Sequence, residues 1–453
     1  MKKILSGILY GMLFGFAVLL FAACIFLIVN TAKRNNRSYS DMEAVVIDEN
    51  SGNDNTAYNE ISAEVSSGMP YGYKTAEMKY AYDILDSENQ RYLYNGIDEN
   101  IYSVSDEKDD NGRYRIVRLR VSGEKMSEFD IREAVNAYIY DNPQIFWLEN
   151  IFGYAYTDED TIVEFYSVLS AEECGDCIDL FNKRIDEIVS SLQSGMSEYE
   201  REKTLHDKLL SVCSYKKGVE SSKDGWQYFS AYGAIVTGEA VCEGYAKSMQ
   251  ILLSKAGIPC FTLRGESDGV SHMWNVVELN NEWYHLDATW DDNDKDGFVI
   301  YEYFNLDSDN IKRTHRINAD IEIIRSGENE TDLGSKARYN FFVPLCTSMN
   351  MNYYNREGIY IDRFDNETDT AVINSIAEKV NNGEHYLHIK FGDSMKYSEY
   401  IDMMFYKSPY KYYYYIDHAN EMLDVKISKK SISVLKNESM SALRIKLVTN
   451  ENE

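Results

Sequence analysis

The chain opens on an apolar run and then changes character several times. Across residues 4–29 none of 26 consecutive positions is charged, with Lys2-Lys3 before the run and Lys33-Arg34 after it. A spanning helix needs about 20 apolar residues, whereas the apolar region of a cleaved signal peptide has only about 7–15. The pattern therefore predicts an uncleaved transmembrane signal anchor over residues 1–34. A lipoprotein cut before Cys24 is the alternative, yet Ile25-Phe26-Leu27-Ile28-Val29 stays apolar where a lipoprotein turns polar. Bases flank both ends and do not set the orientation. An extreme N-terminal span followed by a polar stretch fits a soluble part mounted outside the cytoplasm. From Asn35 to about Lys74, Ser, Asn, Asp, Glu and Gly dominate without a sustained period, which predicts a flexible tether over 35–74.

Helical and strand periods alternate over 75–195. Residues 76–94 and 131–140 read as helices, the second closed by Asn142-Pro143. Residues 114–121 and 161–169 read as strands and 180–192 as a helix, which makes an N-terminal α+β domain. Over 196–325 the pattern is clearer. Ser197-Glu198-Tyr199-Glu200 is a capping box, followed by Leu205, Leu209 and Val212 on one helix face. A second helix spans about 241–256 and stops at Gly257, with Pro259 beyond it. Strand-like stretches follow at 260–264, 272–279 and 282–289, the last two joined by the hairpin signal Asn280-Asn281. Over 326–453 a helix at about 368–380 mixes with strands near 386–391, 412–416, 422–427 and 443–448, an accessory α/β domain. The whole is read as α+β.

Composition narrows the functional classes. The 453 residues are 44% hydrophobic and 26% charged, which suits two or three folded domains. The net charge is −28, but residues 1–40 hold five bases and no acid, leaving −33 on the remainder. That excess argues against nucleic acid as a partner. It would attract basic substrates, although a solvated acidic face is the plainer account. Seven cysteines are too few for a disulfide scaffold. The 37 tyrosines would suit a surface that stacks on sugars or peptides, or reflect a codon bias that also favours Asn, Ile and Lys.

One cysteine has partners at telling spacings. Cys242 falls in the first turn of its expected helix, where unpaired N–H groups carry partial positive charge and favour a thiolate. A nucleophilic thiol needs an imidazole to share its proton and a third group to orient that imidazole. With Asn280-Asn281 at the turn, opposed residues sum to 561, so His272 faces Thr289. Asp287, two residues from Thr289, then points to the same face as His272 and comes within reach of it.

The segments Ala231-Tyr232-Gly233-Ala234, Val241-Cys242-Glu243-Gly244-Tyr245-Ala246, His272-Met273-Trp274-Asn275 and Trp283-Tyr284-His285-Leu286-Asp287-Ala288-Thr289-Trp290 resemble the transglutaminase-like domain of bacterial proteins. The resemblance spans roughly 196–320, and Asp141-Asn142-Pro143-Gln144-Ile145-Phe146-Trp147 is weakly similar to what often precedes that domain. It implies a papain-like core, a helix bearing the cysteine packed on an antiparallel sheet, between flanking accessory domains. It also implies a Cys242-His272-Asp287 triad for acyl transfer on protein or peptide amides, by cross-linking, peptide hydrolysis or deamidation. The Cys242 backbone N–H is an expected oxyanion donor, with Trp226, Gln227 or Tyr232 as a second or as core packing. The rival from another class is a non-catalytic cell-surface protein that binds peptide or wall.

Other signals are weaker. Asp292, Asp294 and Asp296 have the spacing of half a calcium loop, but Tyr303 stands where its closing Glu belongs, so a polar surface loop competes with bound calcium and no cofactor is required. Cys174 and Cys177 form one isolated CxxC with no second pair to complete a zinc site, either a local disulfide or redox pair or two ordinary thiols. Cys213 and Cys260 read as core. His206 and His285 read as structural, with a supporting role near the site as the alternative.

Overall fold

A computed structural model describes residues 43–47, 80–123, 125–219, 225–292, 299–317, 321–325, 333–337, 340–429 and 432–449. The expected anchor over 1–34 lies outside the described residues. Among them no helix is long and apolar enough to cross a membrane. The described residues divide into two compact units: those up to 184 with those in 216–248 and 264–273, and those in 185–215 and 249–263 with those from 274 on. The segment expected as the transglutaminase-like domain contributes to both.

The first unit begins with β1 (Glu43–Val46), which pairs in parallel with residues 151–154. Four residues inside the stretch expected as a tether are therefore a strand: the segment is short, ends in two β-branched valines and is able to complete an edge. Helix α1 (Glu88–Asn100) and helix α2 (Glu128–Asp141) start at capping boxes built on Ser87 with Gln90 and Ser127 with Asp130. They pack on a sheet ordered β1-β3-β4-β2, from β2 (Tyr114–Val121), β3 (Leu148–Tyr156) and β4 (Thr161–Ser167). Every residue of the central strand β4 is buried. Helix α3 (Ala171–Val189) begins nine residues before the helix expected at 180 and so carries both CxxC cysteines.

The middle of the chain follows the expected order. Helix α4 (Glu198–Val212) starts at the Ser197–Glu200 box and buries Leu205 and Leu209, while helix α5 (Cys242–Lys255) begins at the cysteine itself. Strands β5 (Cys260–Ser267) and β6 (Val270–Leu279) are joined by Asp268-Gly269, both at positive φ, and β7 (Glu282–Leu286) follows Asn280-Asn281, also both at positive φ. Two-residue turns of this kind match the twist of the strands they join. The register runs from Leu279 opposite Glu282 to Asn275 opposite Leu286, the expected sum of 561. The strand does not continue to Thr289. It ends at Leu286, and Asp287 instead caps the single-turn helix α6 (Ala288–Asp291). After α7 (Ser308–Ile311), strand β8 (His315–Ile317) joins the same sheet, ordered β8-β5-β6-β7.

A three-stranded sheet, β9 (Ile321–Arg325), β10 (Leu333–Ala337) and β11 (Asn340–Pro344), comes next. The C-terminal sheet is ordered β12-β13-β15-β14, from β12 (Ile359–Ile361), β13 (Tyr386–Phe391), β14 (Ser433–Asn437) and β15 (Ala442–Lys446). Its core is shared with α8 (Asn366–Asn381), α9 (Tyr397–Phe405) and α10 (Lys411–Met422). The strand expected at 412–416 is part of α10, and 422–427 is not one strand either. The tyrosine run suggested β structure, but Tyr412, Tyr415, Ile416 and Ala419 are buried at the helical spacing.

Candidate functional site

In the first unit, the approach to Cys242 is built from glycines where backbones meet. Gly238 takes a left-handed conformation that turns the chain out of the preceding helical turn. The Val241 N–H then donates to the Tyr228 carbonyl at 2.9 Å, and α5 starts at the next residue. A Cβ on Gly244 would stand 2.8 Å from the Ser230 carbonyl oxygen and 2.7 Å from the Ala240 Cβ, so only glycine lets this helix start approach the 228–230 segment. Glu243 is fully buried and pairs with Lys247 Nζ at 2.7 Å, and Lys247 also donates to the Phe229 carbonyl. The Cys-Glu-Gly triplet is thus a nucleophile-sized side chain followed by two residues that pin its turn. Cys242 itself is 4% exposed and packs with Ala246 and Met273. His272, also in this unit, is buried on β6.

Nearby in sequence, Trp226 and Tyr232 have their rings in an aromatic cluster. Phe146 stacks on Trp226 with ring centroids 5.8 Å apart and lies 4.8 Å from Tyr232, and Phe181 closes the group. Burial first, and a hydrogen bond with Cys177 second, hold the Tyr232 phenol protonated. The Gln227 carbonyl accepts from Ser230 N–H and Oγ. Cys174 and Cys177 are free thiols rather than a disulfide, and burial pushes Cys174 up to about 12.

Asp287 belongs to the second unit, and its carboxylate is held on both edges. Oδ1 accepts from the N–H groups of Thr289 at 2.9 Å and Trp290 at 3.1 Å, which is why the strand stops there. Oδ2 lies 2.8 Å from Nε2 of His315, and both side chains are 1% exposed. His315 sits on β8, 28 residues later, and was not singled out in the sequence. No local pattern marks it; only the fold brings it to the acid. Asp287 and His315 are both ligand-type side chains, but they bond to each other. Of the suggested calcium loop, Asp294 and Asp296 lie outside the described residues.

Around this pair the second unit buries further titratable groups. Trp274 Nε1–H donates to His285 Nδ1 at 3.2 Å, which leaves Nε2–H to face Ser308 Oγ at 3.3 Å. Burial lowers His285 to about 3, so it stays neutral. His206, between Asp207 at 3.1 Å and Asp291 at 3.5 Å, is raised: burial works against its charge, but its carboxylate partners outweigh that. Burial raises Asp291 in turn. Both rings are thus held by side chains of the second unit, His206 by the partly exposed Asp207 and the buried Asp291, His285 by Trp274 and Ser308.

Residues 186–288 match the sequence model of the transglutaminase-like superfamily, so the chain carries a transglutaminase-like domain, and Cys242, His272 and Asp287 all fall within the match. Over 119 residues the chain is 29% identical to kyphoscoliosis peptidase of Homo sapiens and to that of Mus musculus. Each match covers 23% of this chain and 18% of the relative, so the likeness spans less than a fifth of those proteins. Among solved structures, a crystal structure of a TGase is similar at 14% identity and a TM-score of 0.25, over 47% of this chain and 60% of that one.

Proposed function

Starting from a chain that carries a transglutaminase-like domain, we propose that it is a membrane-mounted cysteine enzyme acting on protein or peptide amides. Cys242 is the nucleophile, His272 the general acid and base, and Asp287 the group that orients the imidazole. The Cys242 thiolate attacks the amide carbonyl carbon, and the Cys242 N–H receives the developing oxyanion. His272 gives its proton to the leaving nitrogen, the C–N bond breaks and a thioester remains. A primary amine or water then attacks the thioester, His272 takes the proton of that nucleophile, and the C–S bond breaks to restore the thiolate. The observation that carries this reading is the start of α5 at Cys242, in a turn pinned by Gly244 and the Glu243–Lys247 pair. A helix N-terminus is where backbone N–H groups favour an anion. The apolar run over 4–29 supports the membrane mounting.

The test is incubation of the full chain in detergent with a glutamine-containing protein, with and without an amine tracer, read by mass spectrometry. Tracer incorporation identifies a transglutaminase, backbone cleavage a peptidase, and replacement of a side-chain amide by carboxyl a deamidase. Each product must vanish in Cys242→Ala. Silence in all three, equal to that of Cys242→Ala, would overturn the enzyme reading in favour of a binding scaffold.

A further inference from the structure

The two oxygens of Asp287 are committed differently. Oδ1 is spent on the N-cap of α6, while Oδ2 has a side-chain partner, Nε2 of His315 at 2.8 Å. An ionised carboxylate only accepts, so the proton of this bond sits on Nε2. On the other side of the ring, Thr314 Oγ1 lies 2.8 Å from Nδ1, where its hydroxyl can donate into the ring lone pair. Those two contacts together hold both ring nitrogens of His315. The ring is also fixed sterically: Trp274, Trp290 and Tyr303 have their centroids 5.1, 5.3 and 5.5 Å from it.

The geometry points to His315 as a positioning residue for acyl transfer, holding the Asp287 carboxylate in one orientation, and as an acceptor, for the imidazole of His272. This rests on the triad reading above. The chain Thr314 to His315 to Asp287 fixes an acid that a one-turn helix alone would hold by a single oxygen. Metal-bound and catalytic imidazoles are commonly tuned by the group behind them; here an imidazole is the group behind the acid. Asp291 one turn along and Tyr303 interact electrostatically with Asp287, His285 on β7 does so with His315, and Lys312 at the end of α7 acts on His285.

The experiment measures the rate of iodoacetamide alkylation at Cys242 in the full chain in detergent, as a function of pH, by peptide mass spectrometry. Loss of the contact that fixes the carboxylate's orientation turns its acceptor oxygen away from the imidazolium, so thiolate forms at higher pH. In His315→Phe the acid limb is expected to move up by about one to two pH units. His315→Gln, whose side-chain N–H can replace Nε2–H, restores most of the wild-type profile. A wild-type profile in His315→Phe overturns the inference. So does an equal shift in both variants, which is what loss of a merely space-filling ring would give. If His315→Phe fails to fold by circular dichroism, Thr314→Val decides: an upward shift supports the inference and an unchanged limb overturns it. A failure of the triad reading is visible separately. Cys242 would then be alkylated no faster than the other thiols, or identically in His272→Ala, and both readings would fall together.

Discussion

The same substitution should have opposite signs at two helical glycines. Replacing Gly by Ala inside a helix ordinarily stabilises by about 0.5–1 kcal/mol, because the unfolded chain loses freedom and the helix gains propensity. Gly175 in α3 has nothing within 4 Å of the added Cβ, so Gly175→Ala should gain about that amount. At Gly244 the added atom would meet the Ala240 Cβ at 2.7 Å, the Ser230 carbonyl oxygen at 2.8 Å and the Tyr228 carbonyl oxygen at 3.1 Å. Two of these are backbone, and the Tyr228 carbonyl already accepts from Val241 N–H, so neither can swing away as a side chain would. Overpacking costs about 1–3 kcal/mol. Set against the helix gain, Gly244→Ala should lose about 1–2 kcal/mol. Gly96→Ala should fall between the two, since its closest contact at 2.6 Å is a methyl of Leu119 that can rotate. Urea unfolding of the full chain followed by circular dichroism gives each difference from midpoint and slope. A Gly244→Ala variant as stable as Gly175→Ala would refute the close approach at the start of α5, and with it the argument for why Cys-Glu-Gly must be contiguous.

Two further perturbations probe buried charge. Lys247→Met removes an ion-pair partner of the fully buried Glu243 and should cost about 3–5 kcal/mol, and Glu243→Gln added to it should recover part of that loss in a double-mutant cycle by urea unfolding. Equal stability of the single and double variants would refute the pairing. Burial pushes Glu202 in α4 up to about 8, opposed by its hydrogen bond from Asn305 and by His206. A raised acid binds its proton more tightly when folded, so its contribution is fully present below the unfolded value near 4.3 and is lost as pH climbs to about 8. Glu202→Gln should therefore match the wild type at about pH 4 and exceed it by several kcal/mol at about pH 9. Parallel unfolding-versus-pH curves for the two proteins would contradict this.

The parts of the fold that rest on local rules were legible. Ser197 and Glu200 mark the start of α4 because the capping box is a contact between neighbours in sequence. Asn280-Asn281 sets the register of β6 and β7 because a two-residue turn leaves no choice of pairing. Expectations failed where a nonlocal or competing term decided. Thr289 and Trp290 favour strands, but their N–H groups are taken by the Asp287 side chain, which an extended ladder could not offer. The tyrosines of α10 favour strands one by one, but their burial follows the 3.6 period. His315 was out of reach for a different reason. An imidazole 28 residues from its carboxylate, in no motif, has a role only once β8 and the cap of α6 exist. Cys242 stood out because its chemistry and its helix start coincide in six contiguous residues.

The acidity and the tyrosine content, separate oddities of composition, meet inside the structure. Among the described residues, nine of the twelve largest fully buried side chains are tyrosines, so this residue builds cores more than it builds an aromatic surface. Each buried phenol brings the volume of an aromatic ring and a hydroxyl that must find an acceptor. Carboxylates supply it repeatedly: Tyr94 donates to Asp141 at 3.1 Å, Tyr166 to Glu164 at 2.8 Å, Tyr284 to Glu282 at 2.6 Å, Tyr301 to Asp207 at 3.0 Å and Tyr415 to Asp369 at 2.7 Å. Burial first, and the adjacent anion with it, raise all five phenols, which keeps each of them a donor. The acceptors are used more than once, as Asp141 also takes the N–H groups of Ala81 and Tyr82 at 3.0 Å each. Part of the acidic excess is therefore internal framework, matched to phenols instead of to lysines. The net charge of residues 41–453 consequently overstates the field at the surface, and on the enzyme reading proposed above the choice of substrate has to be sought in the groups around Cys242, not in the composition.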